Sequence, residues 1–528
     1  MEPRKSVLIV GGGLSGLTAA ALLAHRGIRV IVVERHAATS IQYKFTGISP
    51  RSMEIFRSIG LEADIRNRRT GDQQGGGIAR AKNLADPDIQ WSGPAWADAS
   101  QVSPTQPATC DQHVLEPILR SHAEMHGAEM RFDCELLSLD QDGNGVTARL
   151  RDLTSGREEY LSTAYLIAAD GAHGATREKL GIERRGPGVL QHWMSIIFDT
   201  DLPDTIAGRR FTACFVTDLN GTLVPRSNGR WLIALQYAPE RGERPEDFDA
   251  VRCRDLVVTA AGRSGIKADL VDARAWEAAA YIADRFRHGR CFLIGDAAHL
   301  MPPTGGFGGN AGIHDAHNLA WKLALVIDGE ADPALLDSYD TERRAVAEAT
   351  LAQALARLGK WFKDPGKRLP PPVEVVDDYD VVFGQLYRSS AILTEAEAAK
   401  NAFARFQELS GEPGTRAPHF RIARRGQSLS THDLFGKGFV LLAGENGQWA
   451  AAAAALSPLL RCHRFGTGGD LTDPEGHWPT AFGVTGTGAI VIRPDGFVAW
   501  RAPVAVSDPG RSLADVMRRL TLRMTGTT

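Results

Sequence analysis

Six residues near the N-terminus have the types and spacing of a phosphate cradle. Gly11-Gly12-Gly13-Leu14-Ser15-Gly16 fits GxGxxG through Gly11, Gly13 and Gly16. In that pattern the first glycine permits a tight turn, the second lets the backbone approach a pyrophosphate, and the third lets a helix pack closely on a strand. The free N–H groups of the helix that follows then face the phosphates. Glu34 stands about twenty residues further on, where a carboxylate binds ribose hydroxyls, with Arg35 beside it. This chemistry suits FAD and NAD equally.

The elements that must hold the cradle are readable around it. Residues 7–10 form a continuous apolar run, as in a strand buried on both faces; residues 14–25 read as an Ala- and Leu-rich helix, and 29–34 as a second buried strand. Strand, helix and strand within about thirty residues have the length of a βαβ unit. Residues 113–127 have a helical period, 131–151 alternate about Asp142-Gly143 and Asn144-Gly145 as a hairpin does, and 161–169 read as a strand ending at Asp170-Gly171. From 190 to 275 alternation dominates, at 193–200, 210–216, 221–225 and 230–237, which predicts an antiparallel sheet inserted into the first domain. Residues 290–294 return to a buried strand, followed by a Gly/Pro-rich loop and a long helix over 311–326, with helices continuing to Leu358. Leu369-Pro370-Pro371-Pro372 marks a linker. From about Ala417 a smaller α/β unit follows: a strand at 439–443, a helix at 448–460, strands near 489–492 and 498–502, and a last helix at 513–522.

A chain of 528 residues predicts two or three domains, and a formal net charge of −3 excludes the basic footprint of a nucleic-acid binder. The six cysteines are scattered, with no CxxC pair and no Cys/His cluster at ligand spacing, so free thiols in a reducing compartment and no metal site are expected. The apolar run at 6–10 is too short for a signal peptide, and no stretch reaches bilayer length; the expectation is a cytoplasmic protein.

Two further segments separate the nucleotides. One is Ala169-Asp170-Gly171-Ala172-His173-Gly174; the other is Gly295-Asp296-Ala297-Ala298-His299, continuing through Pro302-Pro303 to Gly305-Gly306-Phe307-Gly308-Gly309-Asn310. They resemble the DG and GD motifs of the single-component (group A) flavoprotein aromatic hydroxylases, the class of p-hydroxybenzoate hydroxylase and phenol hydroxylase. The resemblance runs nearly the whole length and includes a C-terminal extension like that of phenol hydroxylase. In segments 243–248, 387–391 and 431–436 the chain is most similar to polyketide monooxygenases of the aklavinone hydroxylase type.

The resemblance implies an α/β fold (α+β overall). It comprises a Rossmann-type FAD-binding domain from residues 1–75, 104–188 and 276–400, a substrate-binding β-sheet domain from 76–103 and 189–275, and a thioredoxin-like domain from 401–528. It implies FAD contacts at Gly11, Gly13, Leu14, Ser15, Gly16 and Arg35, with Glu34 on the adenosine ribose, Gln112 near the pyrophosphate and Asp296 on the ribityl chain. Asp170 and Gly171 are associated with both FAD and the reduced nicotinamide. Pro303, Gly306, Gly308, Gly309 and Asn310 form the loop at the flavin ring, where backbone N–H groups at 308–310 could stabilise negative charge as an oxyanion site does. Many relatives carry Arg where this chain has Lys44; lysine keeps the charge but loses the bidentate fork, and Arg51 is a candidate substitute.

The implied reaction is hydroxylation of a phenolic or quinone-type, polyketide-like aromatic with NADPH or NADH and O2, through a flavin C4a-hydroperoxide. No second strand-GxGxxG-helix unit is present, so the nicotinamide binds transiently. Alternatives are a Baeyer–Villiger-type or antibiotic-inactivating oxygenation, and, from another class, a flavin-binding protein without turnover. The sequence names no general base: His299 reads as a packed loop residue, and His192 and Tyr237 are weaker candidates. Trp193 and Trp231 could line a pocket for a flat substrate, with core packing the plainer role for each. The last domain has Cys462-His463 and no CxxC, which implies a packing or dimer-contact role in a monomer or homodimer.

Overall fold

The N-terminal apolar run forms β1 (Ser6–Val10), buried at every residue. Helix α1 (Leu14–His25) then crosses to β2 (Arg29–Val33), which pairs parallel with β1. The computed structural model describes residues 5–41, 44–68, 77–92, 97–202, 205–206, 208–226, 229–361, 373–394, 401–445, 448–456, 458–466 and 468–523. Helix α1 is apolar on all sides and buried from Gly16 to Ala24, as expected of a helix covered by a second layer. That layer includes α2 (Gln112–Met125). On the far side of β1 lies β3 (Tyr165–Ala168), again parallel, and beyond it Cys291–Leu293. Glu129–Arg131 and Arg287–His288 complete a six-stranded sheet.

The run at 161–169 is not one strand. Glu158–Thr163 pairs antiparallel with Val146–Asp152, in a three-stranded sheet that also contains Cys134–Gln141, and β3 begins two residues later in the parallel sheet. Apolarity continues through the corner at Ala164, so hydropathy alone does not mark it.

A separate nine-stranded sheet is built on two long strands, β4 (Arg184–Thr200) and, after β5 (Arg230–Tyr237), β6 (Ala268–Ala283). β4 pairs antiparallel with both β5 and β6. The sheet is not wholly antiparallel: Arg209–Val216 pairs parallel with Gly77–Ala81, a strand from much earlier in the chain. The expected borders at 188/189 and 275/276 fall inside β4 and β6. These strands run on past the sheet domain, and β6 ends against His299–Leu300 of the GD segment. Register shifts at Arg185/Gly188 and Val189/Gln191 bend the ladder where it crosses. Residues of even number on β4 and odd number on β5 (Met194, Ile196, Phe198, Trp231, Ile233) are buried with the helix Ala250–Ala261, which alternation did not predict.

The long helix predicted at 311 begins earlier: α3 spans Phe307–Ile327 and follows Gly306, whose φ of 64° ends the loop. Helix α4 (Asp337–Trp361) packs on it. The C-terminal unit is a four-stranded sheet in the order Leu460–Arg464, Phe439–Ala443, Ala489–Ile492, Val498–Ala502, with the first pair parallel and the others antiparallel. The helix predicted at 448–460 stops at Ala454, and Leu460 opens a strand beside Phe439. Arg493 of this unit donates to Glu342 of α4 at 2.5 and 3.0 Å, and Trp321 of α3 donates to Asp495 at 3.1 Å, all fully buried, so the unit is fastened to the helices behind the cofactor domain. The expected linker at 369–372 lies outside the described residues. Among the described residues no helix is long and apolar enough to cross a membrane, and all six cysteines are free.

Candidate active site

One cavity of about 2710 Å³ runs from the glycine loop to the nine-stranded sheet. Small-molecule pockets typically measure about 300–1,000 Å³, so this space exceeds one ligand and has room for a dinucleotide and a polycyclic compound together.

At the first end, β1 delivers the chain into the glycine turn. Gly11 has φ 107°, and a Cβ there would lie 2.3 Å from the carbonyl oxygen of Ala169, so only glycine lets this turn press against the DG segment. Gly13, Leu14 and Ser15 line the cavity. Gly16 does not; it faces back onto Gly11, where a Cβ would lie 2.0 Å from the Gly11 carbonyl, so its contribution is helix packing. Glu34, which follows β2, accepts the Gly12 N–H at 2.7 Å and the His36 N–H at 2.9 Å, and it lines the cavity with Arg35.

Gln112 begins α2 and donates to Glu116 one turn later at 2.6 Å. Sequence reasoning missed Glu116, although the i,i+4 spacing from Gln112 places it on the same helix face. Burial pushes its carboxyl up to about 7, and the charge of Glu34 adds to this. The Gln112 and Ser40 donors and Lys44 pull the other way. Lys44 lies in the cavity wall, within electrostatic reach of both Glu116 and Asp296. Arg51 does not take its place: it is buried away from the cavity, paired with Glu54 at 2.9 Å and donating to the Asp495 carbonyl at 2.6 Å.

The two later motifs close over the middle of the cavity. Asp170 accepts the Thr176 N–H at 3.0 Å through Oδ2, which starts the short helix Thr176–Lys179, while its buried Oδ1 has no partner among the described residues. Gly171 lies beside it in the lining. Asp296 has its side chain open to the cavity but lies deep within the protein, and the mass of protein around the cavity raises its carboxyl, against the pull of His299 and Lys44. Gly295 has φ 57°, and a Cβ there would lie 2.3 Å from Ser15 Oγ, so the GD turn and the glycine loop are in direct contact. Pro303, Gly306, Gly308 and Gly309 line the next stretch. With α3 starting at Phe307, the N–H groups of Gly308 and Gly309 sit in the first turn, which has no carbonyl four residues back to bond them. Asn310 is not in the lining. Its side chain accepts from Ser49 N–H at 2.9 Å and Ser52 Oγ at 2.7 Å and donates to Gly47 at 3.0 Å, so it pins the segment after Lys44 to the helix start.

At the sheet end, Trp193, Ser195 and Ile197 of β4 face the cavity with Leu232 and Ala234 of β5. Strand parity decides the tryptophans. Trp193 falls on this face, whereas Trp231 falls on the opposite one and is core. Directly opposite Trp193 stands Trp276 of β6, its ring stacked at 5.5 Å and 13° and its Nε1 donating to Ser195 Oγ at 2.9 Å. Cross-strand register is the signal that would have found it. Tyr237 reaches the lining from the end of β5, and burial, with Glu277 and Glu246, raises its phenol, so at neutral pH it is a donor and not a base. His192 lies outside the lining, 3.6 Å from Glu277. His299 is buried outside it too, 2.6 Å from Asp315. Arg226, also unpredicted, crosses from the sheet to Thr46 Oγ1 at 2.7 Å and Asp111 at 2.8 Å, joining the two walls.

An FAD-binding domain family matches residues 4–354, and an aromatic-ring hydroxylase C-terminal family matches residues 410–521. The chain belongs to the FAD-dependent aromatic-ring hydroxylases. It is 39% identical to a tetracenomycin A2 monooxygenase-dioxygenase of Streptomyces glaucescens, over 99% of this chain and 97% of that protein. It is 41% identical to an aklavinone 12-hydroxylase of Streptomyces purpurascens, over 97% and 98%. A solved aklavinone-11 hydroxylase in complex with FAD and aklavinone superposes with a TM-score of 0.90 at 38% identity, covering 98% of this chain and 99% of that one.

FAD is the cofactor of this flavin-dependent monooxygenase. The cavity fits it on its own terms. A backbone cradle closed to any Cβ at Gly11, free N–H groups at the starts of α1 and α3, and an unpartnered buried oxygen on Asp170 are features a bound dinucleotide would satisfy.

Proposed function

We propose that the chain hydroxylates a flat, polycyclic phenol or quinone of polyketide type, using NADPH or NADH and O2. The observation that carries this is the continuity of the cavity: the glycine cradle and the Trp193–Trp276 face belong to one space large enough for both occupants. The named substrates of the aklavinone and tetracenomycin enzymes support the substrate class.

In this reading the βαβ crossover is a Rossmann-type unit. The N–H groups at Gly13, Leu14 and Ser15, with Arg35, Gln112 and Lys44, hold the pyrophosphate; Glu34 holds the adenosine ribose and Asp296 the ribityl chain. Pro303 and Gly306 shape the loop, and the N–H groups of Gly308 and Gly309 stabilise negative charge on the ring edge that faces them. Asp170 and Gly171 serve both the flavin and the incoming nicotinamide. Bound FAD supplies the electron transfer and oxygen activation that side chains cannot. The protein orients an aromatic ring against Trp193 and Trp276 and keeps water from it, while Tyr237 donates to a substrate oxygen. The C-terminal strand order supports a thioredoxin-like unit in a packing role, and the enzyme acts in the cytoplasm as a monomer or homodimer.

The test is to follow NADPH and NADH oxidation by the purified flavoprotein while aromatic polyketides are added, with product masses measured. A substrate-stimulated rate with one added oxygen atom is expected. Three added oxygen atoms, one by monooxygenation and two by dioxygenation, would favour the monooxygenase-dioxygenase outcome named for two relatives, and flavin that is never reduced would overturn turnover altogether.

A further inference from the structure

Helices α1 and α2 both begin at the cavity, with Leu14 and Ser15 on one and Gln112 and Glu116 on the other. Their opposite ends converge at three histidines that the reaction does not use. His25 is the last residue of α1, His122 lies in the last turn of α2, and His126 follows it one turn later. The i,i+4 spacing of His122 and His126 sets them on one face, so the sequence did hold a ligand-spaced pair. The third member comes only from the packing of α1 on α2.

The rings meet closely: 4.3 Å between the centroids of His122 and His126, 5.0 Å for His25 and His126, and 5.5 Å for His25 and His122. One imidazole nitrogen from each lies within 4.8 Å of the others. Two of the nitrogens, Nδ1 of His25 and Nε2 of His122, are buried with no hydrogen-bond partner among the described residues. His126 Nδ1 stands 2.8 Å from the His122 carbonyl, so it donates there and leaves Nε2 with a free lone pair. That is the arrangement in which a backbone acceptor fixes the tautomer of a ligating histidine.

Plain packing accounts poorly for this cluster. Two of the three carry a buried ring nitrogen that no described residue satisfies, which costs stability without return. A ring nitrogen with a free lone pair is the group that binds zinc-like ions.

We propose that His25, His122 and His126 form a site for a divalent transition metal of the zinc class, with water completing a tetrahedron on the open side at His126. With Zn–N bonds of about 2.0–2.1 Å, tetrahedral ligand nitrogens sit roughly 3.4 Å apart, so the rings close by little more than about an ångström. The exposed His126 side chain, just past the end of the helix, allows that movement. The site clamps the far ends of the two helices whose near ends hold the cofactor. Its role is structural.

The test uses untagged, flavin-loaded protein stripped with a chelator and titrated with zinc(II) or cobalt(II). Expected are one zinc per chain by elemental analysis and calorimetry, a visible cobalt absorption of tetrahedral intensity, and a raised melting temperature. His126→Gln, at an exposed position, and His25→Gln should each weaken zinc binding more than tenfold, since loss even of an outer partner costs roughly 10–100-fold. Flavin content should be unchanged, which also reports that each variant has folded. Zinc binding that ignores both substitutions, or no binding below millimolar zinc, would overturn the proposal.

Discussion

The Asp315 carboxylate of α3 accepts the backbone N–H of Gly295 at 3.0 Å. The same oxygen lies 2.6 Å from His299 Nε2, and its partner oxygen accepts Arg343 Nε at 2.7 Å. The turn that aims Asp296 into the cavity is therefore held from behind by a charge on the helix that supplies Gly308 and Gly309. Burial pushes the Asp315 carboxyl up, but His299 and Arg343 outweigh it and bring it down to about 2.

Asp315→Ala should destabilise the protein by about 3–5 kcal/mol, because it leaves Arg343 buried without its counter-charge. The protein should also purify with less flavin bound. Asp315→Asn, which keeps an acceptor, should lose less on both counts. Chemical denaturation and the ratio of flavin to protein absorbance measure the two effects separately.

Glu116 predicts a pH dependence. Its folded value of about 7 stands above its ordinary 4.5, so between these values the fold holds the proton that the unfolded chain releases. The contribution is fully present below the unfolded value and is lost as pH rises through about 7. Melting temperature and flavin affinity should both fall across that window, the latter because an ionised Glu116 repels the pyrophosphate. In Glu116→Gln the slope in this window should flatten; a slope unchanged from wild type would assign it to another group.

Gly11→Ala should abolish flavin retention, since its Cβ would meet backbone and not a movable side chain, 2.3 Å from the Ala169 oxygen. Gly27→Ala is the control: it also has positive φ, but nothing lies within 4 Å of its Cβ, so it should cost stability alone. Flavin fluorescence after gel filtration distinguishes the two.

These residues also show what the sequence could carry. The cradle was readable because its geometry is local: six residues fix turn, phosphate approach and helix packing together. β1, β2 and Cys291–Leu293 were readable because nearly every residue in them is buried. Trp276 was not, because it acquires its role from register with Trp193, and register is set across the sheet. Asp315 was hidden for a related reason: a carboxylate inside an apolar helix has meaning only once His299 and Arg343 are brought to it. The split of 161–169 into two sheets escaped because apolarity reports burial and not the partner that provides it. Asn310 and Gly16 belong to motifs but support the cavity from behind, a distinction that spacing does not contain.

Trp276→Ala should raise KM for the aromatic substrate by up to roughly tenfold, the scale of about 0.5–1.5 kcal/mol that an aromatic pair adds beyond its buried area. Flavin content and substrate-free oxidation of the nicotinamide should stay as in wild type. Trp231→Ala, on the core face, should instead cost stability, by about 3–5 kcal/mol. Steady-state kinetics beside thermal melts make the comparison.

The most direct measurement supplies the flavoprotein with isotopically labelled dioxygen, NADPH or NADH, and a polycyclic phenol, and weighs the product. The account predicts a substrate-dependent oxidation of the nicotinamide with one labelled oxygen atom from the gas in the aromatic product. Reductant consumed to hydrogen peroxide alone with every such substrate, or oxygen acquired from water, would contradict it.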